Sequence, residues 1–323
     1  MRRSAVIFIV FLTVIMASGA LAYEFNGPIE ARNEFPFFLA VFSPSADSAK
    51  PQTLFTTSLT HSSVFFIKSG KEIALWYDME VTDLRFRLKR VIFNTVELDV
   101  ELPFYLFSSG FMDGPLGSYH DAFGFNDYGR GRRPTNSFLY EVRKNGKSVV
   151  NGEDGRFKQG DLRLAIKNAF VDNPDLTLSF KADMELPTGD ARSGAGNGNI
   201  DTALSALLDA TLGERVKVYL NAGVVFPGDL SGHDTIYLKD YLYGNGVVEA
   251  LYSEELSVLA GVMIQDWPFN DEGDKAFKRS PIVLNLGGRY LANKGVFELS
   301  LSEDLNTTGA PDFSVGLAYK RRF

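Results

Sequence analysis

The chain has 323 residues, 45% of them hydrophobic and 23% charged, with a net charge of −7 and a mean hydropathy of −0.05. The acidic balance argues against a nucleic-acid partner, which selects a basic face. With no cysteine, the chain has neither disulfides nor a lipid anchor on an N-terminal cysteine, so its cohesion must come from hydrogen bonding and packing.

Residues 1–22 read as a secretory signal. Arg2 and Arg3 supply the basic start, Ala5 to Met16 an apolar run, and Ala20-Leu21-Ala22 a small-x-small cleavage site before Tyr23. No later stretch reaches the apolar length of a spanning helix, roughly 20 residues. Residues 23–52 carry Pro28, Pro36, Pro44 and Pro51 with little periodicity. They read as an N-terminal arm, either periplasmic or tucked into a lumen. Leu54–Ile67 is a weakly patterned strand, and Lys89 to Asn94 reads as the first periplasmic turn.

The clearest pattern follows. Val96, Leu98, Val100, Leu102, Phe104 and Leu106 alternate with polar positions that include Glu97, Asp99 and Glu101. That is a strand with one apolar face. Three carboxylates on its other face cannot sit unpaired in a dry core. They face bulk water or a water-filled interior. The same alternation sets Leu162, Leu164, Ile166 and Phe170 against Arg163 and Lys167. It sets Leu176, Leu178, Phe180, Met184 and Leu186 against Lys181, Asp183 and Glu185. Further alternating segments run through 216–226, 256–264, 282–290 and 297–301. The last, Phe313, Val315, Leu317 and Tyr319, leads to the terminal Phe323. Segments of about ten residues suit tilted strands crossing a bilayer.

The connections alternate in length. Val171–Asp175, Gly213–Glu214, Ser253–Glu254 and Ala292–Gly295 are tight, whereas Thr188–Asn199, Pro227–Asp240, Pro268–Ser280 and Asp304–Asp312 are long and polar. Short periplasmic turns and long outer loops are the habit of outer-membrane barrels. Residues 108–159 then form one long extracellular or capping loop, dense in glycine, aromatics and charge. Phe138, Tyr140 and Val142 alternate within it as one limb of a hairpin. The expected fold is all-β: an antiparallel up-and-down transmembrane β-barrel over 53–323, with about twelve strands.

The chain resembles the domain-of-unknown-function 3187 family of bacterial outer-membrane proteins. The residues that carry the likeness are Arg32-Asn33-Glu34-Phe35-Pro36, Glu101-Leu102-Pro103-Phe104, Gly110-Phe111-Met112-Asp113-Gly114 and Tyr119-His120-Asp121-Ala122-Phe123-Gly124. Further along come Gly160-Asp161-Leu162, Leu186-Pro187-Thr188-Gly189-Asp190, Gly196-Asn197-Gly198-Asn199-Ile200-Asp201, Glu303-Asp304-Leu305 and Pro311-Asp312-Phe313. The Leu-Pro-Thr-Gly-Asp element is also similar to one in outer-membrane transporters of aromatic compounds. The resemblance implies an outer-membrane β-barrel and supplies no catalytic residue.

The lumen candidates are Glu97, Asp99, Glu101, Arg85, Arg87, Lys181, Asp183 and Glu185. They would form either a charged constriction that selects solutes or a salt-bridge network that stiffens the barrel. Acids beside bases favour the network. His120 and Asp121, with Ser109 or Ser118, could form a hydrolytic group, but no nucleophile elbow is present and catalysis is the weaker reading. His61 and His233 read as isolated, so no zinc site is expected. Gly194–Asn199 reads as a mobile outer loop. Asp271, Glu272 and Asp274 lack the full ligand set of a calcium loop. Arg130, Arg132 and Arg133 suit lipopolysaccharide phosphates or cap carboxylates such as Asp113 and Asp127 equally well. Trp76, Tyr77, Tyr105, Tyr219, Tyr243, Tyr252, Trp267, Tyr290 and Tyr319 suggest interfacial girdles.

The leading functional expectation is a passive channel or transporter for a small solute, hydrophobic solutes included, in the outer membrane of a Gram-negative bacterium. A lipid-modifying hydrolase and a closed structural barrel are the alternatives. The expected partners are outer-membrane lipid, lipopolysaccharide and, through the strand ending at Phe323, the barrel-assembly machinery. No cofactor is implied, because the corresponding motifs are absent.

Overall fold

The computed structural model describes residues 25–123, 130–270, 272–293, 295–306 and 308–323. The signal reading of 1–22 lies outside them, as do Asp127 and Asp271. The strands are β1 (Leu54–Ser69), β2 (Ile73–Phe93), β3 (Val96–Ser108), β4 (Leu139–Lys144), β5 (Lys147–Asn151), β6 (Arg156–Gln159), β7 (Leu162–Asp172), β8 (Leu176–Leu186), β9 (Asp201–Leu212), β10 (Val216–Phe226), β11 (Leu230–Ser231), β12 (Thr235–Ile236), β13 (Tyr241–Leu251), β14 (Leu256–Gln265), β15 (Ile282–Ala292), β16 (Gly295–Asp304) and β17 (Phe313–Arg322). Among the described residues two α-helices join them, α1 (Pro36–Val41) and α2 (Asp113–Phe123).

Twelve of these strands close a ring. Each of β1, β2, β3, β7, β8, β9, β10, β13, β14, β15, β16 and β17 pairs antiparallel with the next, and β17 returns to β1 with Leu54 opposite Arg322. The alternation dictates the faces. Leu98 and Val100 are each 41% exposed on the outside, while Glu97 on the other face is fully buried. Closure gives every strand of the ring a partner on both sides, so none presents a whole free edge as the end strand of an open sheet does.

The first tight turn is shorter than the sequence suggested. Lys89–Asn94 is not a turn: β2 runs through Phe93 and turns only at Asn94–Thr95. Val91, Ile92 and Phe93 are good strand formers and prolong the ladder. The stretch 108–159 is structured. β4 extends the sheet beside the upper part of β2, β5 pairs with β4, and β6 pairs with β3 just before β7 takes over. The β4–β5 turn is Asn145-Gly146, both at positive φ, as a two-residue hairpin requires.

Residues 25–52 run inside the ring. Arg322 donates to the carbonyl of Phe25 and the backbone N–H of Gln52 donates to Glu97, so both limbs of this arm stand at the short-turn end. Between them the chain climbs to α1 near the long-loop end and returns.

Candidate functional site

The interior has two layers, and β2 shows the change from one to the other. Its inward residues are Leu75, Tyr77, Met79 and Val81 towards the long loops, then Asp83, Arg85, Arg87 and Lys89 towards the short turns; all are buried. The arm packs against both sets.

In the upper layer Phe35, Phe37 and Phe38 of the arm meet the wall. Phe35 lies edge-on to Phe66 at 5.2 Å and to Tyr77 at 5.1 Å, and Phe38 lies 5.2 Å from Trp267. Pro36 starts α1 where its missing N–H costs nothing. The β4–β5 hairpin packs against the loops of the long-loop rim: the Tyr140 hydroxyl donates to the carbonyl of Gly194, and Val149 accepts from the backbone of His233.

The lower layer holds seven of the eight sequence candidates in one ion-pair network, with Glu185 standing across from Arg163. Bonding across β2 and β3 is diagonal. Arg85 reaches Glu101 at 2.8 Å and Arg87 reaches Asp99 at 2.9 Å, one pair further along than the Cα partners Arg85–Pro103 and Arg87–Glu101. On the next wall Arg163 grips Asp183, as does Lys181 at 3.1 Å, and Lys167 holds Glu97 at 2.9 Å.

The arm supplies the centre of this network. Arg32 forks onto both oxygens of Glu101 at 2.9 and 3.0 Å, the bidentate geometry that arginine favours. Asp47 pairs with Arg87 and Lys181, each at 3.0 Å, and with Lys89. Burial opposes its ionisation, but Lys167, Lys89, Lys181 and Arg87 together outweigh burial and hold its carboxyl well below the usual range. Glu34 behaves oppositely. Burial first, then the neighbouring Asp83, pushes its carboxyl well above the usual range. Asp47, Glu97 and Asp99 offer ligand atoms within 4.8 Å of one another, yet the protein's own ammonium and guanidinium groups already occupy the positions a cation would take.

A second ionic centre lies on the opposite wall. Arg289, completely buried, bridges Glu249 at 2.7 Å and Glu298 at 2.6 Å, and donates to Pro28 of the arm at 3.1 Å. Asp47, Glu249, Arg289 and Glu298 were not singled out from sequence, and Arg32 was noted only within the motif Arg32–Pro36. A signal for two of the wall residues was there: Glu249 and Arg289 are each the one charge on the inward phase of their strands.

Several other expectations need correction. His61 is not isolated: on the outer face of the wall its Nε2 lies 2.7 Å from Glu80 and its Nδ1 2.8 Å from Thr82, beneath the ring of Phe111. Of the two even readings of Arg130 and Arg133, the structure shows the carboxylate one: Arg130 pairs with Asp113, as anticipated, and with Asp312, and Arg133 with Asp78. Glu272 accepts the backbone N–H of Glu72, and Asp274 that of Ala276. The Gly194–Asn199 loop is packed rather than loose: Ala195 and Asn197 are fully buried, and Asp161 accepts the N–H groups of Gly189 and Asn197. Tyr77, Tyr105, Tyr219, Tyr243 and Trp267 line the interior and form no girdle, while Tyr252 and Tyr290 are exposed at the short-turn end. The side chains of His120 and Asp121 lie outside the described residues.

The closed ring, lipid-phase apolar exterior and charged interior define an outer-membrane β-barrel resembling channels. The fold is similar to that of the COG4313 outer membrane channel from Pseudomonas putida F1, with a TM-score of 0.57 at 15% identity, covering 84% of this chain and 96% of that one. Weaker likenesses are to the NanC porin (TM-score 0.48, 8% identity, 84% and 100% covered) and to the Pseudomonas putida toluene transporter TodX (0.41, 9%, 92% and 100%). At these identities only the fold is shared, and the first comparison carries it. The chain belongs to the family described as Protein of unknown function (DUF3187), which it matches over residues 4–323. No curated protein matches its sequence.

Proposed function

We propose that the protein is a passive outer-membrane channel for a small solute, held shut at rest by residues 25–52. The observation that carries this reading is the path of the arm. Both of its limbs stand at the short-turn end, the periplasmic end of the expected orientation. It is therefore a hairpin inserted from one side, which can withdraw without threading the ring. Its lower contacts are ion pairs, and buried ion pairs contribute little net stability against apolar packing of equal volume. A network of this kind suits a contact that must open. Conductance in planar bilayers tests the reading: the intact protein should stay closed, and a variant lacking 26–50 should conduct. A folded deletion variant that stays silent would favour the closed structural barrel.

One observation favours a second reading, hydrolysis of lipid esters. Thr82, His61 and Glu80 form a hydrogen-bonded chain on the outer face of the wall, the order of nucleophile, base and orienting carboxylate. Release of fatty acid from phospholipid by the purified protein, lost in His61→Ala, would support it. No release by the unmodified protein rules it out.

A further inference from the structure

The wall has a notch at its long-loop rim. β1 pairs with β17 only from Leu54 to Ser63, although its other edge stays paired with β2 as far as Ser69. Beside the Val64–Ser69 edge lies a cavity of about 530 Å³, bounded by loop residues from 274–279 and 304–312. That volume falls in the range of small-ligand sites. Its apolar side includes Phe65, Phe66 and Ala276. Phe66 belongs to the aromatic layer, so the cavity reaches the interior packing.

The charged lining is lopsided in what is already used. Of the carboxylates, Asp274 caps the backbone of Ala276, Asp312 is taken by Arg130, and Asp304 has a partner of its own. Of the cations, Arg133 is taken by Asp78. Lys68, Arg132, Lys275 and Arg279 all line the cavity and are exposed. Among the described residues none of these four side chains makes a hydrogen bond or an ion pair. Lys68, Arg132, Arg133, Lys275 and Arg279 against Asp274, Asp304 and Asp312 leave the lining net positive, with four of its cations uncommitted beside an apolar surface. Guanidinium groups there match the planar oxygen pairs of a carboxylate or phosphate.

We infer that this notch binds the anionic head of an amphiphile, a phosphate or carboxylate carried on an apolar body. The head would sit among Arg132, Lys275, Arg279 and Lys68, and the body against Phe65 and Phe66. A phosphorylated lipid of the outer leaflet and a free amphiphilic anion share that chemistry. The site does not require the barrel to conduct.

Calorimetric titration of the full mature protein in a zwitterionic detergent tests this. The probes are phenyl phosphate, benzoate, neutral benzyl alcohol, and lipid A with and without its phosphates in mixed micelles. Heat-dependent gel mobility confirms that each variant is folded. Saturable binding of an anionic probe is expected, weakened at least about tenfold in Arg132→Ala/Arg279→Ala, the scale of one lost charge-assisted contact. The Arg132→Lys/Arg279→Lys variant should retain most of it. Binding of phenyl phosphate or benzoate identifies a free solute as the source. Binding of phosphorylated lipid A alone identifies the membrane. The inference is overturned if no anionic probe saturates, if benzyl alcohol binds as well as the anions, or if the alanine variant binds as tightly as the original.

Discussion

The two layers of the interior hold the same arm by opposite physics. In the upper layer α1 presents phenylalanines to an aromatic wall, and the attraction is apolar burial, which salt does not screen and pH barely touches. In the lower layer Arg32 and Asp47 of the arm enter a lattice of carboxylates, ammonium groups and guanidinium groups, where each charge depends on its neighbours. A layer of the first kind gives adhesion. A layer of the second kind gives specific registration and responds to any change that unbalances its charges.

The largest expected effect comes from removing the hub of the lower layer. Asp47→Ala leaves Lys89, Lys181, Lys167 and Arg87 facing one another. Breaking a buried pair in this way costs about 3–5 kcal/mol. Hydrogen exchange over residues 25–52 should report the loss as faster opening of the arm, and added salt should relieve part of it. Phe38→Ala, a truncation at a fully buried site, should cost about 3 kcal/mol or somewhat more, with no relief from salt. If the two variants respond alike to salt, the layers do not differ as described.

A smaller effect is expected from pH, with opposite signs at the two acidic residues of the arm. Asp47 has a lowered folded-state pKa, so its contribution is present above the unfolded value, about 3.9, and is lost only as pH falls below it. Glu34 has a raised folded-state pKa, so its contribution is complete below the unfolded value, about 4.3, and is lost as pH rises through the folded one. Arm protection should therefore fall in strong acid and also decline as pH rises above about 4.3, the unfolded value of Glu34. Glu34→Gln should abolish that second decline and leave the acid loss unchanged.

The smallest effect lies outside both layers. Burial lifts Asp161 to about 6 despite the N–H groups of Gly189 and Asn197 that it accepts. Protection of residues 188–197 should weaken slightly as pH rises through that value, and Asp161→Asn should remove the dependence.

The contrast between layers also explains what the sequence disclosed. Glu97, Asp99 and Glu101 were legible because a charged inward face against a lipid-facing apolar face gives the sharpest possible alternation. The upper halves of β1 and β2 were harder. In β1 Val64 and Phe66 point inward while Phe65 and Ile67 point outward, so both phases are apolar and the period of two fades. In upper β2 the apolar phase, Leu75, Tyr77, Met79 and Val81, is the inward one, and Asp78, Glu80 and Thr82 stand outward, so the alternation is present with its sense reversed and Tyr77 reads as a girdle residue. The arm was visible as a proline-rich segment, but Arg32 and Asp47 found their partners across more than 30 residues of sequence, and no local pattern encodes that. The motif Gly110-Phe111-Met112 is explained by contact alone: Gly110 sits at positive φ against the Glu80 carboxylate, which accepts the next two N–H groups.

Single-channel recording bears most directly on the claim that the chain's own arm closes the ring. The intact protein and a variant lacking 26–50 would be compared in planar bilayers after folding is verified by heat-dependent gel mobility. Steady conductance in the deletion variant with a silent parent is the expected result. A folded deletion variant as silent as its parent, or a parent already open, would contradict it.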